Sequence, residues 1–329
     1  MKFILAFIVL LVSFLNSDEY EMGHGLKINE YLYLGSYFSI DYQKSDEKRQ
    51  FRLDDVALLA YGDLSSDFSY LLELESAPTY VKNYTTSTST NDTKFHYERM
   101  YANYMHSEMI NIRVGKQITP IGYWNLEPIN VLRDTSSNPL YSYKMFPKLL
   151  TGLDLFGYFD NDNTIKYHLF MQNNEDLDEE YINIQNDHFL GASLEYEFLD
   201  EFSLGGSLGQ YITNVDDKHV EFMQINAKYD NYPFLLKGEV AYSDIDNRFI
   251  NKKSNNLAGY TQGMYNLDMK HALISRYEYF NDDENNEKTH IGVFGYSYRP
   301  IYSVSFKAEY QWNSDSYQNK SLVSFSVLF

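Results

Sequence analysis

Strand periodicity along this sequence sets six basic side chains on the polar faces of alternating segments: Arg99, Arg113, Lys166, Lys237, Arg276 and Lys307. The same faces carry Asp154, Glu195, Glu197, Glu239, Glu278 and Glu309. Charges of both signs along one face act by field, attracting, repelling or orienting a solute rather than making bonds. The marks of bond-making chemistry are missing. The eight histidines (His24, His96, His106, His168, His188, His219, His271, His290) show no His-x-x-x-His spacing, and no Gly-x-Ser-x-Gly elbow occurs. "DNDN" at 160–163 lacks the length of a calcium-binding EF-hand loop. No enzyme, metal or cofactor is therefore expected, although a Ser–His pair meeting across neighbouring strands would escape a spacing argument.

A second group of charges lies in one long connection between "MINIRVGKQ" and "LLTGLDLFGYF", taken as residues 117–148. It holds four of the seven prolines, Pro120, Pro128, Pro139 and Pro147. Proline at this density stiffens a loop and reduces what it loses on ordering, and a long loop in a compact fold is usually functional. Counted from its flanking lysine, the stretch has Lys116, Arg133, Lys144 and Lys148 against only Glu127 and Asp134, a basic patch in a chain of net charge -19. That overall charge argues against nucleic acid as a partner, since phosphates are repelled.

The elements that position these residues come from composition and pattern. The chain has 329 residues, 44% hydrophobic, with 32 Tyr, 22 Phe and no Cys; its mean hydropathy of -0.46 is too polar for a helical membrane protein. Tyrosine suits strands and membrane-water boundaries, where a ring lies in apolar surroundings with its hydroxyl wet. The start, "MKFILAFIVLLVSFLNSDEYE", reads as a signal peptide over residues 1–17: Lys2, an apolar run from Phe3 to Leu15, and small Ser17 before Asp18. An N-terminal anchor is the competing reading, but an apolar core of about 13 residues falls short of the roughly 20 a spanning helix needs. Residues 18–25 are expected to form a short periplasmic segment.

From 26 to 329, alternating segments of about ten residues are joined by connections that are short and long in turn, the signature of a transmembrane up-and-down β-barrel. About sixteen antiparallel strands are expected, the first spanning 26–42. Tight turns such as "GDLSSD" and "DNYP" belong to one end, and longer polar loops such as "SDIDNRFINKKSNN" to the other. A secreted β-sandwich would not need so many near-equal strands with this asymmetry. The chain ends in "SLVSFSVLF", with Val323, Phe325, Val327 and Phe329 on one face and Ser324 and Ser326 on the other. In a closed barrel the last strand pairs with the first, because an open edge in lipid strands its backbone N–H and C=O groups.

This apolar ending on a terminal Phe resembles the C-terminal signal of bacterial outer-membrane proteins, which implies that the barrel-assembly machinery reads it. The stretch "ERMYANYMHSEMINIRVGKQITPIGYWN" and the thirty or so residues C-terminal to it resemble Gram-negative porins related to the phosphate-selective porin O/P family. The matching positions are Gly115, Lys116, Thr119, Pro120, Gly122, Trp124, Asn125, Phe146, Pro147, Thr151 and Gly152, within residues 97–158. The resemblance implies a third loop folded into the lumen to narrow it. It does not extend to the substrate, since no ladder of Arg is evident.

The expectation is a porin in the outer membrane of a Gram-negative bacterium, allowing passive diffusion of small hydrophilic solutes and ions, with a weak cation preference. Its constriction would be formed by Arg99, Arg113, Lys116, Glu127, Arg133, Asp134, Lys144 and Lys148. Expected partners are membrane lipid and lipopolysaccharide, the latter through divalent cations bridging acidic loops such as "DDENNE" at 282–287; solvation of those loops is the plainer reading. Porins of this size commonly form homotrimers, and nothing in the sequence separates a subunit interface from lipid-facing wall. The alternative is a non-conducting barrel serving as adhesin or structural protein. The position of 117–148 discriminates: folded inward it makes a constriction, splayed outward a binding surface.

Overall fold

The computed structural model describes residues 20–159, 162, 164–178, 183–314 and 318–329. The expected signal peptide at 1–17 lies outside the described residues. A small hairpin of β1 (Tyr20–Glu21) and β2 (Gly25–Asn29) leads into β3 (Leu32–Ser45). The single first strand expected over 26–42 is thus two strands joined by a turn at Glu30 and Tyr31. Alternation continued through the turn, so the pattern did not register it.

The wall continues with β4 (Arg49–Asp63) and β5 (Phe68–Ser76), then a loop carrying the hairpin β6 (Tyr80–Asn83) and β7 (Thr88–Asn91), which pairs back onto β4. Next come β8 (His96–Met105), β9 (Asn111–Ile118), the long third loop with one helical turn α1 (Tyr141–Lys144), β10 (Leu149–Tyr158) and β11 (Ile165–Gln172). The taller side comes after them: β12 (Asn186–Leu199), β13 (Phe202–Thr213), β14 (Lys218–Asn231), β15 (Phe234–Asn247), β16 (Lys252–Asn266), β17 (His271–Asp282), β18 (Glu287–Ile301), β19 (Val304–Asn313) and β20 (Lys320–Leu328).

Each strand pairs antiparallel with its neighbour, and β20 closes on β3 from Lys320 opposite Ser45 to Leu328 opposite Tyr37. Setting aside β1, β2, β6 and β7, the ring has sixteen strands, as the alternation predicts. Past the end of β20 the Phe329 amide still donates to the Ser36 carbonyl at 2.7 Å, so the chain terminus is stitched into the seam. The expected long loop at 243–256 is corrected: β15 and β16 pair to Asn247 and Lys252, leaving only 248–251 as a turn. Ladder hydrogen bonds extend a hairpin beyond its apolar band, where composition gives no strand signal.

Outward positions are apolar and open, among them Val114, Leu169, Leu190, Leu208, Met223, Leu236 and Phe294. At the short-turn end tilted aromatic pairs bound this wall, including Phe68 with Tyr104, Phe202 with Tyr229, Phe234 with Tyr265 and Phe306 with Phe325. So large an exposed apolar surface suits lipid rather than water, and aromatic rings gather where lipid meets water.

Candidate functional site: the constriction

The third loop lies inside the barrel. Its neck is a clamp of the motif residues: Thr119 N donates to the Lys148 carbonyl at 2.9 Å, Thr119 Oγ1 to the Pro147 carbonyl at 2.8 Å, and Asn125 Nδ2 to the Thr119 and Lys148 carbonyls at 2.6 and 3.1 Å. Gly122 adopts φ +66°, and a Cβ there would collide with Glu239 Oε2, so only glycine lets the loop approach this carboxylate.

Two apolar clusters seat the loop. Ile121, Trp124, Tyr141, Met145 and Phe146 pack on Phe170 of β11 and on Phe189, Phe222 and Tyr260 of the tall wall. The loop tip, with Ile129 and Val131, packs on Tyr37, Ala57 and Leu328 opposite. Burying each large ring contributes about 2–3 kcal/mol. Hydrogen bonds then fix the register. Glu239 accepts from Trp124 N at 2.8 Å and Tyr260 Oη at 2.5 Å. Glu278 accepts from Leu140 N at 2.9 Å, and Glu309 from Ser137 Oγ at 2.6 Å and from Ser136 N. Lys237 Nζ meets Asp134 at 2.8 Å and Glu127 at 3.6 Å. Arg276 donates to the Ser137 carbonyl at 3.0 Å, Arg299 to the Val131 carbonyl at 2.7 Å, and Lys307 to Asn130.

Six of the twelve residues that alternation turns inward, Lys237, Glu239, Arg276, Glu278, Lys307 and Glu309, are therefore engaged in fastening the loop. Lys166 and Glu195 stand opposite each other lower in the lumen. His168 Nδ1 lies 2.8 Å from Asp154 Oδ2 and its ring stacks on Phe156. Ser193 is across from His168 on β12, yet among the described residues no hydrogen bond joins them, so the trio lacks the arrangement of an activated nucleophile.

Between loop and wall remains a polar cavity of about 560 Å³. Arg133 and Lys148 line it from the loop; Asp54, Asp55, Glu75 and Glu98 line it from β4, β5 and β8, with Arg52, Glu278 and Lys320 beside them. Two β-bulges aim the wall acids. Register slips between β3 and β4 so that Asp54 and Asp55 together oppose Ser39, whose hydroxyl donates to Asp55 at 2.8 Å. It slips again between β5 and β8, bringing Glu98 to Lys148 at 2.7 Å while adjacent Arg99 pairs with Glu73. The sequence signal was available: adjacent charges, Asp54–Asp55 and Glu98–Arg99, inside otherwise alternating strands.

Of the eight expected constriction residues, Arg133 and Lys148 line this cavity. Glu127 and Asp134 face Lys237 instead. Burial raises the Glu127 carboxyl above its ordinary value, with Lys237 only partly offsetting it. Burial also opposes ionisation of Asp134, but Lys237, Arg299 and Lys307 outweigh it and hold that carboxyl below its ordinary value. Arg99 is taken by Glu73, and Arg113 lies over the Tyr101 ring with its Nε on Asn103 at 2.7 Å. Lys144 is exposed at the end of α1.

Lys116 is a correction. Its register places it beside Met100 and Thr151 on the outward face, and its buried ammonium meets Asp176 at 2.9 Å and the Asp178 carbonyl at 3.2 Å. It holds the fourth loop against the wall rather than narrowing the lumen. Gly115 before it has φ +128°, a backbone turn that simple alternation does not anticipate.

No family model and no curated protein matches this chain. Solved structures do. The anion-selective porin from Comamonas acidovorans superposes with a TM-score of 0.67 at 10% identity, covering 91% of this chain and 99% of that one. OmpF of Salmonella typhi, in complex with daunomycin, gives 0.64 at 14% identity, with 91% and 97% covered. OmpT, an outer membrane protein of Vibrio cholerae in its in-vitro folded trimer form, gives 0.64 at 10% identity, with 91% and 99% covered. The fold is that of the Gram-negative outer-membrane porins.

Proposed function

We propose that this protein is an outer-membrane porin through which small hydrophilic solutes and ions diffuse passively, acting by field and steric exclusion. The observation that carries the reading is the inward third loop, fastened to the wall by apolar packing and ion pairs, beside a charged cavity of about 560 Å³. An adhesin or structural barrel would expose that stretch, and its inward fold weighs against that alternative. Five carboxylates against four cationic side chains around the cavity support a weak cation preference. A relation to the phosphate-selective porin O/P group rests on the motif residues that close the loop's neck, and the mixed lining gives no reason to carry that group's substrate over.

Self-association through the short side belongs to the same reading. Strands β8 to β11 have 8–10 residues, against 12–15 for β12 to β18. Eight residues tilted about 40° rise roughly 20 Å, less than an apolar band of about 25 Å. Exposed Met100, Val114, Leu153 and Met171 on this low wall suit burial against a second copy, consistent with a homotrimer.

Single-channel recording of the refolded mature protein in a planar bilayer, with a salt gradient, tests the proposal. Discrete steps with a small cation-directed reversal potential are expected. Silence from a demonstrably folded, heat-modifiable barrel would overturn it.

A further inference from the structure

We infer that the cavity favours small zwitterions, solutes carrying an ammonium and a carboxylate together, with free amino acids as the simplest members. The inference rests on the porin reading and deepens it.

The wall side of the space is net acidic, although Arg52 and Lys320 also line it and Arg52 stands 3.4 Å from Asp54, while the charged side chains on the loop side are cationic. Asp54, Asp55 and Glu98 project from the wall at the two bulges, and Arg133 and Lys148 face them from the loop. Each side retains capacity for a ligand. Glu98 is only 2% exposed, and its Oε2 has no hydrogen-bond partner, while Oε1 is held by Lys148. A buried carboxylate oxygen lining a cavity is an acceptor set for a donor. Asp55 is held by the Ser39 hydroxyl and forms no ion pair among the described residues. On the loop, Arg133 donates to neutral oxygens, those of Glu127, Pro128 and Asn138, the last at 2.9 Å. These bonds fix the planar guanidinium without cancelling its charge, and leave N–H groups for a carboxylate.

A lone cation gains at the wall but is repelled by the loop, and a lone anion meets the reverse. An uncharged solute of the same size gains from neither. A zwitterion lying across the cavity gains on both sides while adding no net charge. The partly exposed Tyr143 ring and Leu140 at the same cavity offer apolar surface to a side chain.

Swelling of proteoliposomes holding the refolded mature protein tests this, with L-serine and the similar-sized neutral polyol erythritol as probes. L-serine is expected to enter at least about threefold faster, and the Asp55→Asn/Glu98→Gln double variant to bring the ratio to about one. Arg133→Gln should do the same from the loop side; should it fail to fold, the wall variant decides. Equal rates in the unaltered protein, or a ratio that survives the wall variant, overturn the inference. Absence of both swelling and single-channel steps would instead overturn the porin reading beneath it.

Discussion

The Trp124 backbone amide donates to Glu239 Oε1 at 2.8 Å, joining loop to wall across 115 residues of chain. The bond forms only because Gly122, two residues earlier, has no Cβ to strike the same carboxylate. Gly122→Ala should therefore loosen the loop without opening the barrel ladder. Single-channel conductance should rise, by roughly 1.5- to 2-fold, and current noise with it, as the constriction leaves the lumen part of the time. Unchanged conductance would mean that the loop is not the narrowest point.

Acidification separates the two loop carboxyls. Glu127, raised by burial, takes up its proton above its ordinary value, so its protonation favours the folded loop as pH falls. Asp134 is depressed, so its contribution is present above the ordinary carboxylate value and is lost only as pH falls through its lower folded one. As pH falls from neutrality to the ordinary glutamate value the loop should stay latched while losing negative charge, moving the reversal potential toward anions. Part of that shift should vanish in Glu127→Gln, as salt-gradient recordings at the two pH values would reveal.

Lys148 and Lys116 flank one loop but are expected to behave differently. Lys148→Gln removes a cation from the cavity and should increase cation selectivity. Lys116→Met should leave selectivity as it was and destabilise instead, since it abandons Asp176 as a buried charge at a cost of about 3–5 kcal/mol. Reversal potential and the temperature of heat modification, measured on both variants, check this pair.

Phe329 closes the seam through its bond to the Ser36 carbonyl, and its ring stacks on Phe38 with centroids 5.9 Å apart. We read Val323, Phe325, Val327 and Phe329 as the assembly signal as well. Deleting Phe329 should lower the yield of heat-modifiable barrel in outer-membrane fractions by several-fold, whereas refolding in detergent should suffer less. Equal losses in both would assign the residue to stability alone.

Much of the wall was legible because one face of each strand is apolar and the other polar, and a period of two survives any later packing. The inward direction of Arg276, Glu278, Lys307 and Glu309 came from that alternation alone. Their partners did not, because Arg276 meets Ser137 and Glu309 meets Ser136 and Ser137 only after the loop has crossed the lumen. Lys116 adjoins the loop in sequence but not the aperture in space, because pleat and register turn it outward.

The amino-acid sequence by itself specifies the class of the fold, the strand number, the closing role of the last strand and the identity of the stiffened third loop. These depend on local periodicity and on backbone hydrogen bonding, which each segment satisfies with its neighbours. Folding in three dimensions chose which charges face the remaining space. Two one-residue slips of register aim Asp54, Asp55 and Glu98 into the cavity, and the latched loop occupies half of the twelve charges that alternation turns inward. Such slips are settled by strand pairing and packing around the whole ring, so an alternating pattern read one segment at a time does not contain them.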